Sequence, residues 1–159
     1  MVLSLKTFIK YTFILCFVFL YNEVWAGTCN LSTTSVAFGN YDVLTSGPFE
    51  TTGNVRIACN GFVLSNAVVS IGPSSGTTNI NPRTMKLTTG TDLLNYYLYS
   101  DSGRTTVWGD GTSGTSTQTV FILGVLFFTR DLPVYGRITP NQNVSVGVYT
   151  DTLTVTITY

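Results

Sequence analysis

The strongest pattern in this chain is an alternation over its last eleven residues, 149–159. Every second position is apolar or aromatic apart from Asp151, and all the positions between them are threonine. Because side chains alternate faces along a strand, the segment is predicted to have one core face and one solvent face. The core face comprises Tyr149, Leu153, Val155, Ile157 and Tyr159. At a sheet edge, the unpaired backbone groups of such a strand form a surface on which another strand can pair.

Short runs of β-forming residues alternate with turn residues along the rest of the chain, and helix signals are nearly absent. This pattern indicates an all-β sandwich or barrel. The long, glycine-rich stretch 101–117 is predicted to be a turn region, with Trp108 as a core or loop anchor. Strands are predicted over residues 35–38, 54–59, 67–71, 83–88, 94–99 and 134–138.

Residues 120–128 form a nearly continuous apolar run. The run is well short of the ~20 residues that span a bilayer as a helix. It is interpreted as a strand buried on both faces or bent at Gly124. The alternative is that it forms the wall of a hydrophobic groove that accepts a partner's strand.

The first 26 residues have the pattern of a secretory signal peptide. A positively charged start is followed by an apolar run over residues 11–21 and by a small-x-small site that ends at Ala26. We predict cleavage after Ala26, which leaves a single domain over residues 27–159 and no stable membrane span. An uncleaved N-terminal anchor is the alternative, although the apolar run is short for a span of ~20 residues.

Two cysteines, Cys29 and Cys59, remain after the predicted cleavage. An even number of cysteines in an exported chain indicates one disulfide. The chain has no histidine, and two cysteines without histidine or an adjacent carboxylate pair do not form a zinc site. We therefore expect a structural disulfide, no metal and no cofactor.

Charge is sparse, with six Lys or Arg and seven Asp or Glu spread over residues 27–159. This composition does not support a nucleic-acid surface. The absence of histidine removes the usual general base. Asp101 and Asp110 are carboxylates, as a glycosidase pair requires. Both lie in glycine-rich sequences, however, where aspartate is an ordinary turn residue. No catalytic residue is predicted, and Arg83 and Arg137 are candidates for ion pairs with Asp101 or Asp151.

Several motifs resemble those of the spore coat protein U domain family, and they occur in the same order as in that family. The most specific are residues 94–101, LNYYLYSD, followed by residues 108–111, WGDG. The resemblance covers nearly the whole of the predicted mature chain. The other matching segments are Cys29 with residues 36–42, Cys59, and residues 81–85, 135–142 and 147–159.

The resemblance implies a secreted subunit of archaic chaperone–usher pili, with an incomplete immunoglobulin-like β-sandwich that lacks its final strand. The implied partners are a periplasmic chaperone, which lends a strand during folding, an outer-membrane usher and neighbouring pilus subunits. In the fibre, the N-terminal extension of the next subunit replaces the chaperone's strand. Such fibres serve surface attachment and biofilm formation. The predicted core face of residues 149–159 would then line the groove for the partner's strand.

The predicted cleavage leaves only Gly27 and Thr28 ahead of Cys29, which is too short for a donor strand. We therefore expect a tip or capping subunit. The main alternative is a secreted coat or matrix protein that does not polymerise. A secreted carbohydrate-active enzyme, using Asp110, is a weaker third alternative.

Mass spectrometry of the exported protein tests the cleavage prediction. We expect the mature chain to begin at Gly27, because Ala26 completes the small-x-small site. A mature chain that begins well before Gly27 would contain a possible donor strand and would contradict the expectation of a tip or capping subunit. Ala26→Leu serves as the control, and it should slow processing or move it to another site.

Overall fold

The computed structural model describes residues 27–124 and 126–159, so the predicted signal peptide lies outside the described residues. The described part contains nine strands, and within it we find no helix long and apolar enough to cross a membrane. The strands are β1 (Thr28–Thr34), β2 (Phe49–Asn60), β3 (Val63–Ile71), β4 (Arg83–Leu87), β5 (Leu93–Tyr99), β6 (Gln118–Gly124), β7 (Phe127–Ile138), β8 (Tyr149–Thr150) and β9 (Val155–Thr158).

The strands form two sheets that share one core. The large sheet has the order β1-β2-β7-β5-β4-β8, and the small sheet has the order β6-β3-β9. Neighbouring strands pair antiparallel throughout. The predicted all-β sandwich with one disulfide, between Cys29 and Cys59, is confirmed.

The core forms where alternating apolar positions of the two sheets face each other. On β2, and on β5 as far as Leu98, the apolar positions are buried and the positions between them are more exposed, whereas Tyr99 at the end of β5 is also buried. Burial of a side chain of this size contributes roughly 1.5–3 kcal/mol. The inward residues of these two strands are Val55, Ile57, Cys59, Leu94, Tyr96 and Leu98.

Trp108 anchors the turn region that follows β5. Its side chain is fully buried, and its indole Nε1 donates a hydrogen bond to the carbonyl oxygen of Val69 at 3.1 Å. Its backbone N–H donates to the carbonyl oxygen of Leu98 at 2.8 Å. Trp108 therefore ties the turn region to both sheets, as the prediction of an anchor required.

The last eleven residues form two strands and not the single strand that was predicted. β8 pairs with β4 in the large sheet, and β9 pairs with β3 in the small sheet. Residues 151–154 cross from one sheet to the other. The alternation of faces continues through the crossing, because both sheets face the same core.

The predicted first strand at residues 35–38 is wrong, because the first strand is β1 and residues 35–38 join no ladder. Residues 120–128 are not a single strand either. β6 ends at Gly124, and β7, which begins at Phe127, belongs to the other sheet. The prediction of burial on both faces is also wrong, since Phe121 and Leu123 are exposed.

Side-chain packing, and not strand pairing, holds residues 35–38 against the inner face of the large sheet. A Cβ on Gly53 would lie 2.7 Å from Val36 Cγ2, and one on Gly136 would lie 2.5 Å from Val36 Cγ1 and 2.8 Å from the Phe38 ring. The two glycines are on the paired strands β2 and β7. Because glycine has no Cβ, Gly53 and Gly136 form a shallow trough in the sheet, and the side chains of Val36 and Phe38 fill it.

Gly136→Ala tests this packing. The added methyl group should displace Val36 and Phe38 and lower the free energy of unfolding by about 1–3 kcal/mol, as overpacking does in cores. Urea unfolding of the dilute protein measures the change. Gly47→Ala is the matched control, because its Cβ would meet nothing within 4 Å. If both substitutions lowered the free energy of unfolding equally, the packing of Val36 and Phe38 against Gly136 would be contradicted.

Candidate functional site: an open side of the sandwich

One side of the sandwich has two sheet edges that face each other without being paired. β1 is an edge strand of the large sheet, and β9 is an edge strand of the small sheet. Among the described residues, no ladder joins β1 to β9. One hydrogen bond crosses the gap at one end, where the Cys29 N–H donates to Tyr159 Oη at 3.1 Å. Each edge therefore presents backbone groups to which a further strand can bind.

A cavity of about 330 Å³ opens between these edges. Residues 33–36 line one side of the cavity, and Leu153 and Val155 line the opposite side. Its inner surface consists of core side chains from both sheets, including Ile71 and Leu98. The core of the sandwich is therefore accessible from this side.

A second cavity of about 610 Å³ lies between residues 36–43 and 144–149. The two cavities meet at shared side chains, and we call them together the open groove. The lining residues common to both are Val36, Phe38, Met85 and Tyr149. The groove thus extends from the β1–β9 gap along the inner face of the large sheet.

Of the five residues predicted to line a partner-strand groove, Tyr149, Leu153 and Val155 line the first cavity, whereas Ile157 and Tyr159 line neither cavity. Tyr149, Leu153, Val155 and Ile157 are half-buried and pack against the core, whereas Tyr159 is 48 % exposed. The threonines between them point to solvent. An apolar wall that stays half in water gains further stabilisation when another apolar surface covers it.

The sequence analysis missed the opposite wall, to which Val36 and Phe38 belong, and the nearby strand residue Leu31 on β1. These side chains are half-buried and pack against the core. Leu31 alternates with Cys29 on β1, and this short alternation was a signal that could have indicated the strand. The apolar run 120–128 supplies none of the residues that line either cavity.

Asp151 lies where the last residues cross between the sheets, and it lines the first cavity beside Tyr96. Its carboxylate accepts hydrogen bonds from the Tyr96 hydroxyl at 2.7 Å, the Ser75 N–H at 3.2 Å and the Thr152 N–H at 2.8 Å. Burial, and then the hydrogen bond to Asp151, raises the pKa of Tyr96 far above its usual range. Tyr96 therefore stays protonated and donates to Asp151.

Arg83 stabilises the C-terminal end of β3 through hydrogen bonds to its backbone. Its side chain is fully buried, and its guanidinium donates to the carbonyl oxygens of Ile71 at 2.8 Å and Gly72 at 3.0 and 3.1 Å. Burial lowers the pKa of Arg83. The predicted ion pair of Arg83 is wrong, and Arg137 pairs with Glu50 at 2.7 Å instead of with either predicted aspartate.

The two aspartates that resembled a catalytic pair are turn residues. The Asp101 carboxylate accepts hydrogen bonds from the N–H groups of Thr106 and Thr105, and these bonds lower its pKa. The Asp110 carboxylate accepts from the hydroxyl and N–H of Thr112, which lowers the pKa of Asp110. Both are therefore satisfied within their own turns, and within residues 27–124 and 126–159 no group of three metal-ligating side chains is present.

The disulfide fixes the wall that β1 provides. Cys29 and Cys59 lie directly opposite each other in the β1–β2 ladder and are joined by a bond between their sulfur atoms. Cys59 is buried, whereas Cys29 is half-buried at the edge of the groove. The bridge therefore holds an edge strand that pairs on one side only.

Comparison with known proteins gives a family and a fold. A family model described as the Spore Coat Protein U domain matches residues 16–156. "Protein U" of Myxococcus xanthus is 34% identical over 151 residues, an alignment that covers 84% of this chain and 78% of that protein.

Two solved structures are also similar. One is the complex of CsuC with the tip adhesion subunit CsuE, from archaic chaperone–usher Csu pili of Acinetobacter baumannii. That match has a TM-score of 0.55 and 22% identity over 84% of this chain, but it spans only 40% of the other chain. The other is HdaB, the minor tip subunit of the E. coli Hda pilus, with a TM-score of 0.45 and 16% identity over 80% of this chain and 79% of that one. The first match shows a shared fold.

Removal of the disulfide tests its role in holding β1. Changing both Cys29 and Cys59 to serine should lower the free energy of unfolding by about 3–4 kcal/mol, because the bridge closes a loop of roughly 30 residues. Urea unfolding measures the change. Reduction of the unchanged protein should give the same loss, and reducing agent should leave the serine variant unaffected. A loss below about 1 kcal/mol would show that β1 stays in place without the bridge.

Proposed function

The chain belongs to the Spore Coat Protein U domain family, and we propose that it is a secreted structural subunit of chaperone–usher pili that is completed by a partner's strand. The resemblance predicted from the sequence is thereby confirmed. The family is one of structural proteins and not of enzymes. The observation that carries the proposal is the open groove, in which two unpaired sheet edges border an accessible core.

Backbone pairing is the first requirement for strand acceptance, and β9 meets it. Its inner edge is paired to β3, and its outer edge has no strand partner within the described part of the chain. An incoming strand that pairs with β9 would extend the small sheet toward β1. Residues 35–38 also join no ladder, and three of them, Ser35, Val36 and Phe38, line the same cavity on the other side of the gap.

Side-chain burial is the second requirement. Alternate side chains of an incoming strand would point into the groove, where Leu153 and Val155 face Val36 across the first cavity. Asp151 is the one charged residue among the described residues that line this cavity. The groove therefore favours a strand with apolar residues at alternate positions, each of which would gain roughly 1.5–3 kcal/mol on full burial.

The proposal includes partners and a location. A periplasmic chaperone would supply the first strand, an outer-membrane usher would export the subunit, and a neighbouring subunit would supply the final strand at the cell surface. Surface attachment and biofilm formation are the roles that such a fibre would serve. A mature chain that begins at Gly27 would have the tip or capping position, because a start well before Gly27 would supply a donor strand.

A non-polymerising coat or matrix protein is the second candidate, and two contacts favour it. Val36 and Phe38 already fill part of the groove, and the Cys29–Tyr159 hydrogen bond crosses the gap. Both contacts reduce the apolar surface or the backbone edge that remains for a partner. The two candidates differ in whether the domain is stable without an added strand.

Coexpression with the periplasmic pilus chaperone of the same genome separates the two candidates. Expressed alone, the mature domain should be unstable or aggregate at high concentration, whereas the chaperone should give a soluble one-to-one complex. Ile157→Asp should abolish the complex, because it places a charge on the core-facing side of the strand with which the partner would pair. Thr156→Asp, on the solvent face of the same strand, is the matched control and should leave the complex intact.

A second measurement covers the case in which Ile157→Asp does not fold. Val155→Ala should speed dissociation of the chaperone about tenfold or more, because it removes apolar area that the inserted strand buries. The proposal would be contradicted by a stable monomer that unfolds cooperatively, binds no apolar dye and ignores the chaperone. That result would favour the coat or matrix protein.

A further inference from the structure

The last strand has a sequence that does not define its own register. Residues 152–159 repeat threonine followed by an apolar or aromatic residue. A one-residue slip along β3 would turn every threonine toward the core, so it is strongly disfavoured. A two-residue slip keeps the same faces and merely exchanges Leu153, Val155 and Ile157 for one another. The alternation therefore permits several registers of similar packing.

Backbone hydrogen bonds do not choose between these registers. In the observed register, Ile71 lies opposite Val155 and Val69 lies opposite Ile157. The Gly72 N–H donates to the carbonyl oxygen of Thr154 at 2.9 Å, and any residue in that place would offer the same oxygen. Apart from the short crossing that ties β9 to β8, which is itself paired to β4, the register depends on contacts of particular side chains.

Asp151 makes that kind of contact at the start of the crossing. Its carboxylate binds the Tyr96 hydroxyl on β5 and the Ser75 N–H just beyond β3, at 2.7 and 3.2 Å. These partners belong to the large sheet and to the turn that leaves the small sheet. A two-residue slip moves the chain by roughly 6.6 Å, which takes the carboxylate out of reach of both donors.

Tyr159 holds the other end of the strand less firmly. Its hydroxyl accepts one hydrogen bond, from the Cys29 N–H at 3.1 Å, and its side chain is 48 % exposed. Asp151, by contrast, is half-buried and accepts hydrogen bonds from three different residues. The anchor with the larger effect is therefore at the Asp151 end.

We propose that Asp151 is the positioning residue of the open groove: its hydrogen bonds to Tyr96 and Ser75 set the register of β9 on β3. The consequence for binding rests on the proposed function. The outer edge of β9 is the edge that a partner's strand would pair with. The register of β9 therefore decides which groove residues stand opposite each residue of that strand.

Disulfide trapping in the full-length chain measures the register directly. Ser70 and Thr156 are opposite each other, so the Ser70→Cys, Thr156→Cys pair reports the observed register. Pairs that combine Ser70→Cys with Thr154→Cys or Thr158→Cys report two-residue slips in either direction. Mass spectrometry of peptides separates these bridges from the native Cys29–Cys59 bridge.

Asp151→Ala should raise the ratio of slipped to native bridges about tenfold or more, because it removes the hydrogen bonds that a charged group accepts from both Tyr96 and Ser75. Tyr96→Phe, which removes one donor, should give a smaller rise in the same direction. Asp151→Asn retains an acceptor oxygen and should restore most of the native bridge. Asp101→Ala, which removes a carboxylate whose hydrogen bonds lie within its own turn, is the control and should match the unchanged protein.

The inference is overturned when Asp151→Ala and Tyr96→Phe both give the bridge ratio of the Asp101→Ala control. Should Asp151→Ala be insoluble, an unchanged ratio in Tyr96→Phe alone overturns it. Because trapping needs no partner strand, a slipped register with no chaperone binding in any variant would contradict the proposed function and support the positioning role. Normal chaperone binding with unchanged trapping would support the proposed function and contradict the positioning role.

Discussion

The rest of the structure depends on the meeting of two unpaired sheet edges at one side of a shared core. An edge on the surface of a sheet exposes backbone groups to water at little cost, but an edge beside an accessible core also leaves apolar side chains partly hydrated. Here β1 and β9 form such edges, and the side chains behind them are half-buried. A strand that binds there would satisfy the backbone and complete the core together.

Several contacts limit how far this side opens. The disulfide holds β1 to β2, and Val36 and Phe38 occupy a trough left by two glycines of the large sheet. The Tyr159 hydroxyl crosses the gap to the backbone of Cys29. These contacts are made by side chains or by a single hydrogen bond, so they reduce the exposed apolar surface without pairing either edge. The groove is narrowed and not closed.

Sequence patterns predicted which residues face the core better than they predicted which sheet each residue joins. The alternation on β2 placed Val55 and Ile57 inside, and the alternation of residues 149–159 placed the correct faces through the crossing. A period of two describes faces only, and both sheets of a sandwich face the same core. The change of sheet at residues 151–154 and the unpaired state of residues 35–38 depend on contacts with Tyr96 and Gly136, which are distant in sequence.

Exposure alone does not distinguish the groove from the rest of the surface, and a comparison with β6 shows why. β6 is also an edge strand, and it carries the exposed side chains Phe121 and Leu123. Behind it, however, Ile122 and the neighbouring Ala67 are fully buried, so a strand added there would cover a core that is already complete. Along β9 the inward side chains Val155 and Ile157 are themselves half-buried beside an accessible core. An unpaired edge indicates a binding site only where the core behind it is also unfinished, and among the strands of the small sheet that condition is met at β9.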